Sequence, residues 1–183
     1  MGQLVFRSDD TVKWLDGYGS GKDGDYTPST GTRSEIDASF TGSSGDYTGS
    51  GTNASFAAGQ LVFIIDRTTG KYQFNKILDY NAGTITFKYP LTNNYTNAQI
   101  VVMEQRIHVN IQNGNTLSLK GYDNTTGKGG VYAVFAKASA VIDGTINGAG
   151  KGFEGGLHDA SGVNWGGKGG DIVTGKQIGR AHV

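Results

Sequence analysis

Sugar-cleaving chemistry needs two carboxyl groups that face one groove, and acidic residues are sparse in the second half of this sequence. One carboxyl group protonates the leaving oxygen, and the other acts as nucleophile or base. Asp143, Glu154 and Asp159 lie in or shortly after the last of the short strand-like runs of that half. Asp143 stands in the sequence VIDG, where aspartate before glycine is typical of a turn. We therefore predict no catalytic residue and no enzymatic activity in this chain.

Two aromatic residues, Phe153 and Trp165, lie in a polar, glycine-rich stretch with few aliphatic neighbours in sequence. Exposed rings beside Asn and Asp side chains are suited to stacking on sugars. The alternative is that both rings plug the open end of the fold. Phe153 and Trp165 are accordingly the candidate ligand-binding residues, and the ligand would be a host surface glycan.

Metal and cofactor chemistry has little support in the sequence. His108 alternates with Ile107 and Val109 in a strand-like run, which favours an outward-facing strand residue over a metal ligand. His158 has no second histidine nearby, and a zinc site needs three or four protein ligands. The run DGD at residues 23–25 lacks the further oxygen ligands of a calcium loop. We predict neither a metal nor a cofactor.

Two stretches match the spacing G-x-G-x-x-G of dinucleotide-binding loops, at residues 19–24 and 150–155. Such a loop needs a strand before it and a helix after it, so that the pyrophosphate meets the helix N-terminus. Neither match is followed by a helical pattern, and a chain with 31 glycines produces such matches by chance. Both stretches are predicted to be ordinary loops.

The balanced charge of the chain argues against several classes of partner. Its 16 basic and 16 acidic residues give a formal net charge of zero, whereas nucleic acids and anionic membranes attract a basic surface. The longest strongly apolar run, residues 61–65, is far too short to span a bilayer. The start, MGQLVFRSDD, also lacks the pattern of a secretory signal peptide. We predict no nucleic-acid partner and no membrane insertion.

Residues 60–105 alternate strand-like runs with turn signals. The runs are QLVFIID, YQFNKILDY, TITFKY and QIVVMEQ, separated by RTTGK, NAG and PLTNNYTNA. In TITFKY the residues Ile85 and Phe87 fall on one face and the threonines on the other, as in a half-buried strand. Four strands joined by short turns predict a small antiparallel β-barrel or sandwich.

After residue 105 the pattern changes to shorter runs: IHVNI, TLSLKG, GGVYAVFA and AVIDGTING. The fragment IQNGNTLSL at residues 111–119 loosely echoes VIDGTI at residues 141–146. Short strands that recur with Gly or Asn at each bend are typical of the rungs of a parallel β-solenoid. Beyond residue 148 the chain is too rich in glycine for a helix or an ordinary strand. That segment is predicted to be a loop, with packed polyglycine-type helices as the alternative.

From about residue 53 to residue 170 the chain resembles a group of glycine-rich phage tail-fibre and microbial surface proteins. The matching segments are NASFAAGQLVFIID, NAGTITFKYPLTNNYT, VNIQNGNTLSLKGYD, GGVYAVFA and VIDGTINGAGKGFEGG. The FxxGQ opening and the TITFxxPLTNNY segment are also similar to the small barrel that precedes parallel β-helices in other extracellular proteins. The resemblance implies a barrel, then β-helix rungs, then distal modules that contact the host. It carries over no active-site residue.

The tail at residues 177–183 reads QIGRAHV, which matches the in-frame translation of a common short-read sequencing adapter. A coincidental polar tail is the alternative, but all seven residues agree with the adapter. We therefore expect a metagenomic fragment whose natural gene continues past Lys176. Arg180 and His182 are set aside as functional candidates.

Together these patterns predict an all-β fold, in which a small antiparallel β-barrel or sandwich precedes the first rungs of a parallel β-solenoid and a glycine-rich tail. The predicted segments are N-terminal strands and a Gly/Ser/Thr-rich linker (1–53), the barrel (54–105), solenoid rungs (106–148), a glycine-rich segment (149–176) and the adapter-derived tail (177–183).

The predicted function is that of a structural and attachment module in a phage tail fibre or surface adhesin, on the virion or an extracellular surface. The alternatives are a glycan depolymerase with Asp143 in its groove and a carbohydrate-binding module, each with its site mostly beyond Lys176. We also expect a homo-oligomer, because thin β-solenoids expose edges that pairing would cover.

Overall fold

A computed structural model describes residues 20–123, 125–149 and 151. Within these residues the chain forms ten β-strands and no helix, which confirms the all-β prediction. None of the described segments is a helix long and apolar enough to cross a membrane. The strands are β1 (Gly31–Thr32), β2 (Asp37–Gly42), β3 (Thr48–Ser50), β4 (Leu61–Ile65), β5 (Tyr72–Asn81), β6 (Thr84–Phe87), β7 (Tyr95–Ile111), β8 (Thr116–Ser118), β9 (Val134–Ile142) and β10 (Thr145–Asn147).

Six of these strands close into an antiparallel barrel. Their hydrogen-bonded order is β2, β3, β6, β5, β4 and β7, and β2 pairs with β7 to complete the circle. The tight turn between β5 and β6 uses Ala82 and Gly83, whose φ angles of 46° and 89° are both positive. Two consecutive positive φ angles are the geometry of the two-residue turn that matches the twist of paired strands. Because the barrel is closed, its strands offer no free edge.

Strand β4 is buried along its whole length because both of its faces meet other side chains. Val62 and Ile64 point into the barrel core, whose other members include Phe40, Ile85 and Phe87. The alternate residues, Leu61, Phe63 and Ile65, pack outside the barrel with Val101, Met103 and Val131. A strand buried on both faces needs the continuous apolar run that this segment of the sequence has.

Strand β7 belongs to the barrel at one end and to a parallel sheet at the other. It has 17 residues, and its first part pairs antiparallel with β2 and β4. From Glu104 to Ile111 the same strand pairs parallel with β9. No break in the strand separates its antiparallel part from its parallel part, although the register with β9 shifts between Arg106 and His108.

Three strand–turn–strand layers are stacked in parallel in the described part of the chain. The middle layer is the second half of β7 with β8, and β9 with β10 forms the layer on one side of it. On the other side Tyr26 bridges Val109, and β1 pairs with β8. Two parallel layers therefore follow the barrel strands in sequence, as predicted, whereas the first layer precedes them.

The polar segment before residue 53 supplies strands to both parts of the molecule. Residues 24–33 form the first parallel layer, and β2 and β3 belong to the barrel. Strand β3 reads TGS and is mostly exposed, so it lacks the apolar alternation by which a strand is recognised in sequence. The boundaries predicted at residues 53 and 105 stay predictions of domain organisation.

Gly49 in β3 is required because the ring of Phe40 lies directly over it. A Cβ atom at Gly49 would overlap ring carbons of Phe40 and lie 3.0 Å from the carbonyl oxygen of Thr41. The ring of Phe40 is itself held by Phe87 and Tyr95, with centroid distances of 5.7 Å and 5.9 Å. The ring therefore has no free space into which it can move.

Replacing Gly49 by alanine tests this close approach. We expect Gly49→Ala to lower the free energy of unfolding by about 1–3 kcal/mol, the usual cost of overpacking a well-filled core, as measured by urea denaturation. Gly31→Ala is the matched control, because nothing lies within 4 Å of a Cβ at Gly31. Equal stability of the two variants would contradict the packing described here.

Candidate functional site

A group of charged side chains is buried where the barrel meets the parallel layers. Arg33 is 7% exposed, and the side chain of Glu35 is 2% exposed. Charged residues are rarely buried unless they are paired. We call this group the junction cluster; its members are Arg33, Glu35, Asp37, Glu104 and Arg106.

Strand geometry brings the junction cluster together. Glu104 and Arg106 are two positions apart on β7, so both side chains lie on the same face of the strand. The other three members alternate along the extended segment that leads from β1 into β2. That segment is bonded to both sheets, because the Arg33 N–H donates to the Ser118 carbonyl and the Ile36 carbonyl accepts from the Val102 N–H, at 2.8 Å and 2.9 Å.

The guanidinium group of Arg33 is at the centre of the junction cluster. It lies between the rings of Tyr26 and Tyr132, at 4.9 Å and 5.2 Å from their centroids. It forms ion pairs with Glu35, at 3.2 Å, and with Glu104. One cation thus contacts residues of the first layer, of β7, of the approach to the barrel and of the connection that precedes β9.

Arg106 is the second arginine that forms an ion pair with Glu104. Its Nε donates to Glu104 Oε2 at 2.8 Å, and its guanidinium carbon lies 4.8 Å from the centroid of the Tyr26 ring. Tyr26 is thereby in contact with two cations, because Arg33 also lies against it. Stacking of a guanidinium group on an aromatic face is favourable and is strengthened when water is excluded.

Burial and pairing shift the pKa values of the junction cluster in different directions. Burial raises the pKa of Glu35 to about 7, against the attraction of Arg33. Burial also tends to raise the pKa of Glu104, but hydrogen bonds from Arg106 and Arg33 outweigh it and lower the pKa below the ordinary value. For Arg33, burial tends to lower the pKa, but the adjacent carboxylates outweigh it and raise the pKa. Arg33 and Glu104 are therefore charged at neutral pH, whereas Glu35 exchanges a proton there.

An open cleft of about 260 Å³ lies beside the junction cluster. The two carboxylates that line it, Asp23 and Glu104, are both held by internal partners: Asp23 Oδ2 accepts from the Gln105 N–H at 2.7 Å, and Glu104 is bound by two arginines. The cleft therefore presents mixed charge on groups that also hold the fold together. Its lining residues are Lys22, Asp23, Ile36, Gln60, Val102, Glu104 and Arg106.

The residues singled out from the sequence do not meet in this cleft. Asp143 is exposed between β9 and β10, where its N–H donates to the Ile111 carbonyl at 2.9 Å, so the interpretation as a turn residue is confirmed. His108 is exposed on β7 with its Nδ1 2.8 Å from Ser139 Oγ, which confirms an outward-facing strand residue. The candidate ligand-binding residues Phe153 and Trp165 lie outside the described residues, as do Glu154, His158 and Asp159.

No group of three or more potential metal ligands occurs within residues 20–123, 125–149 and 151. The residues 23–25, which the sequence analysis considered for calcium, are instead used in pairing with β7. The Asp23 N–H donates to the Gln105 carbonyl at 3.0 Å, and the Gly24 carbonyl accepts from the Ile107 N–H at 2.8 Å. This backbone pairing begins the first parallel layer.

The junction cluster was not predicted from the sequence, although a signal for it was present. Glu104 and Arg106 follow the apolar residues Ile100 and Val102 at alternate positions of one strand. Arg33, Glu35 and Asp37 repeat the same two-residue spacing. Opposite charges on one face of two strands are a reason to expect that the strands pair across that face. What the sequence could not supply is the pairing of segments so far apart along the chain.

Comparison with known proteins gives a limited result. No protein-family model matches the chain, and no curated protein matches it. Among solved structures it is similar to the tailspike protein gp49 of Pseudomonas phage LKA1, with a TM-score of 0.33 and 15% identity over 46% of this chain and 19% of that one. It is also similar to the Gp54 tailspike of Acinetobacter baumannii bacteriophage AP22, solved in complex with a capsular saccharide, with a TM-score of 0.34 and 15% identity over 62% and 22% of the two chains. The chain thus matches about a fifth of each tailspike's length.

The sequence-based prediction that the chain has no enzymatic activity is wrong. Both of these structures are tailspike proteins, and one of them was solved with a capsular saccharide. The physical reason for the error is that carboxylates distant in sequence can share a groove, as Asp23 and Glu104 do. A search by local spacing cannot find such pairs.

The raised pKa of Glu35 leads to a specific dependence of stability on pH. Because the carboxyl group binds its proton more tightly in the folded chain, ionisation favours unfolding, and the stability due to this group falls as pH rises from about 4.5 to 7. We expect Glu35→Gln to gain up to about 3 kcal/mol in the free energy of unfolding, relative to the unsubstituted chain, between pH 5 and pH 8.

Urea denaturation at pH 5 and pH 8 measures this difference. Asp79→Asn is the matched control, since Asp79 is an exposed carboxylate on barrel strand β5. A Glu35→Gln variant whose stability follows that of the unsubstituted chain at both pH values would contradict the assignment of the proton to Glu35.

Proposed function

We propose that this chain is an adaptor in a phage tail fibre or microbial surface adhesin, where it joins a small barrel rigidly to the start of a parallel β-stack. The observation that carries the proposal is that both parts share one uninterrupted strand, β7. A shared strand leaves no flexible linker at which the two parts could bend. Its place would be on the virion or on an extracellular surface.

A second contact supports rigid coupling. The connection between β8 and β9 folds back onto the outer face of the barrel, where Val131 packs with Phe63 and Met103. The same connection is tied to β2 by polar contacts, because Asp37 Oδ2 accepts from the Gly129 N–H at 3.1 Å and lies 3.7 Å from Lys120 Nζ. Strand sharing and side packing together oppose both bending and twisting at the junction.

The two parts differ in their capacity to grow. The barrel strands are closed on themselves, so they cannot accept another strand in their plane. The parallel layers end at β9 and β10 in the described residues, and parallel strands can be added there without disturbing the barrel. This polarity suits a protein in which a compact module starts a rod that carries distal contacts.

A surface glycan is the ligand class that we propose for the assembled protein. The predicted stacking residues Phe153 and Trp165 suit a saccharide, and we propose homo-oligomeric assembly as the route by which weak individual contacts are multiplied. Capsular polysaccharide is the first ligand to test, since the AP22 tailspike was solved with a capsular saccharide.

The test is a binding assay of the purified 183-residue chain against a panel of capsular polysaccharides, with light scattering to measure its oligomeric state. We expect an oligomer that binds at least one polysaccharide, and about tenfold weaker binding after Trp165→Ala, because an aromatic contact of about 1.4 kcal/mol corresponds to a factor of ten. Trp14→Ala is the matched control, as the other tryptophan of the chain.

Release of reducing ends, followed in the same assay, decides whether bound polysaccharide is also cleaved. A stable monomer that binds no polysaccharide would contradict the proposed attachment function. Loss of binding in Trp14→Ala as well as in Trp165→Ala would contradict the assignment of the sugar contact to Trp165.

A further inference from the structure

The outer edge of β9 carries no further strand among the described residues. Its last two residues, Val141 and Ile142, are 43% and 48% exposed. An unpaired edge with exposed aliphatic side chains is a template for another strand. In the middle layer, Ile111 is the register partner of Ile142 and is completely buried. A strand added to β9 would bury the side chain of Ile142 in the same way.

The last paired residues of β7 and β9 are related by one fixed distance in sequence. His108 and Ser139 are register partners on β7 and β9 and lie 31 positions apart, and Ile111 and Ile142 are partners with the same separation. A further step of the same 31 positions from Ile142 leads to Val173. Val141 is followed at this distance by Ile172, so two aliphatic residues recur at the two exposed apolar positions.

The turn after each strand adds an independent match. Gly144 follows β9, and a Cβ there would overlap the Gln112 carbonyl oxygen and lie 2.5 Å from the Asn115 carbonyl oxygen. Glycine is therefore needed where this turn stacks on the one below it. Gly175 stands 31 positions after Gly144, so VIDG at residues 141–144 recurs as IVTG at residues 172–175. The match is short, because Asp171 falls at the position of Ala140.

We propose that the open edge of β9 is the docking surface for a fourth parallel strand from the same chain, residues 172–175, with Val173 stacked on Ile142. This inference rests on the proposed function, in which the stack continues beyond its third layer. A second copy of the chain is the competing occupant. The chain's own segment is favoured because it repeats both the apolar pair and the turn glycine at the distance that relates the ends of β7 and β9.

Disulfide trapping tests the docking surface directly, since the chain has no cysteine of its own. Neighbouring parallel strands lie about 4.8 Å apart, within the Cα separation that a disulfide can bridge. We expect Ile142→Cys/Val173→Cys to form an intramolecular disulfide in most chains under mild oxidation. The bond is read out as a faster-migrating monomer on a non-reducing gel and as a cross-linked peptide by mass spectrometry.

Two further cysteine pairs make the result decisive. Ile142→Cys/Val163→Cys is the matched negative control, because Val163 is off the 31-residue repeat, and it should form little disulfide. His108→Cys/Ser139→Cys joins two exposed register partners in the second and third layers and should cross-link readily. Failure of this positive control would overturn the parallel stack and with it the proposed function.

The other outcomes concern the docking surface alone. A positive control that cross-links beside an Ile142→Cys/Val173→Cys variant that does not, or that does so no better than the Val163 pair, overturns the inference and leaves the proposed function standing. Cross-linking between chains, with dimers that increase with protein concentration, would assign the edge to a second copy and would likewise overturn it.

Discussion

Strand β7 has to satisfy two kinds of sheet along one backbone. Up to Met103 its neighbours on both sides run antiparallel, and from Glu104 onward they run parallel. Buried backbone N–H and C=O groups must be bonded on either side of this change. The neighbours on both edges must therefore change at about the same place: β2 gives way to β9 on one edge, and β4 gives way to residues 23–26 on the other.

This constraint accounts for the position of the junction cluster. The change of neighbours at Glu104 brings together the approach to β2, the first layer and the connection that precedes β9. Buried ion pairs contribute little net stability compared with apolar packing, because desolvation offsets their attraction. Their better-supported role is to fix one arrangement among several, since a shifted register would leave Arg33 or Glu104 buried without a partner. The charges thus select how the layers meet the barrel, while the apolar clusters supply most of the stability.

The parts of this fold that follow from local pattern were predictable from the sequence. Continuous burial of β4, the half-buried alternation of β6 and the turn at Gly83 all follow from residues next to one another in sequence. The all-β class followed from these. Strand β3 could not be recognised, because its Thr and Ser side chains are exposed and its Gly49 is required by the ring of Phe40, nine residues earlier.

The candidate site could not be predicted from local sequence patterns, because its residues are also far apart along the chain. The cleft combines Asp23 with Glu104, and Arg33 contacts Tyr26 of the first layer and Tyr132 of the connection that precedes β9. These contacts are set by sheet topology, which spacing along the chain does not reveal. The same limitation made the sequence-based exclusion of enzymatic activity unsound. Conversely, the similarity between residues 111–119 and 141–146, which is weak in the sequence, corresponds to the pairing of Ile111 with Ile142 in neighbouring layers.

Native-state hydrogen exchange along β7 tests the central claim, that this strand makes the barrel and the parallel layers one cooperative body. The measurement compares the free energy of opening for amides in residues 95–103 with that for residues 104–111. Because both parts share the strand and the packing around Met103 and Val131, we expect the two sets of amides to exchange with the same free energy, equal to that of global unfolding. Amides of residues 104–111 that exchange through a separate, lower-energy opening while the barrel stays protected would contradict the account.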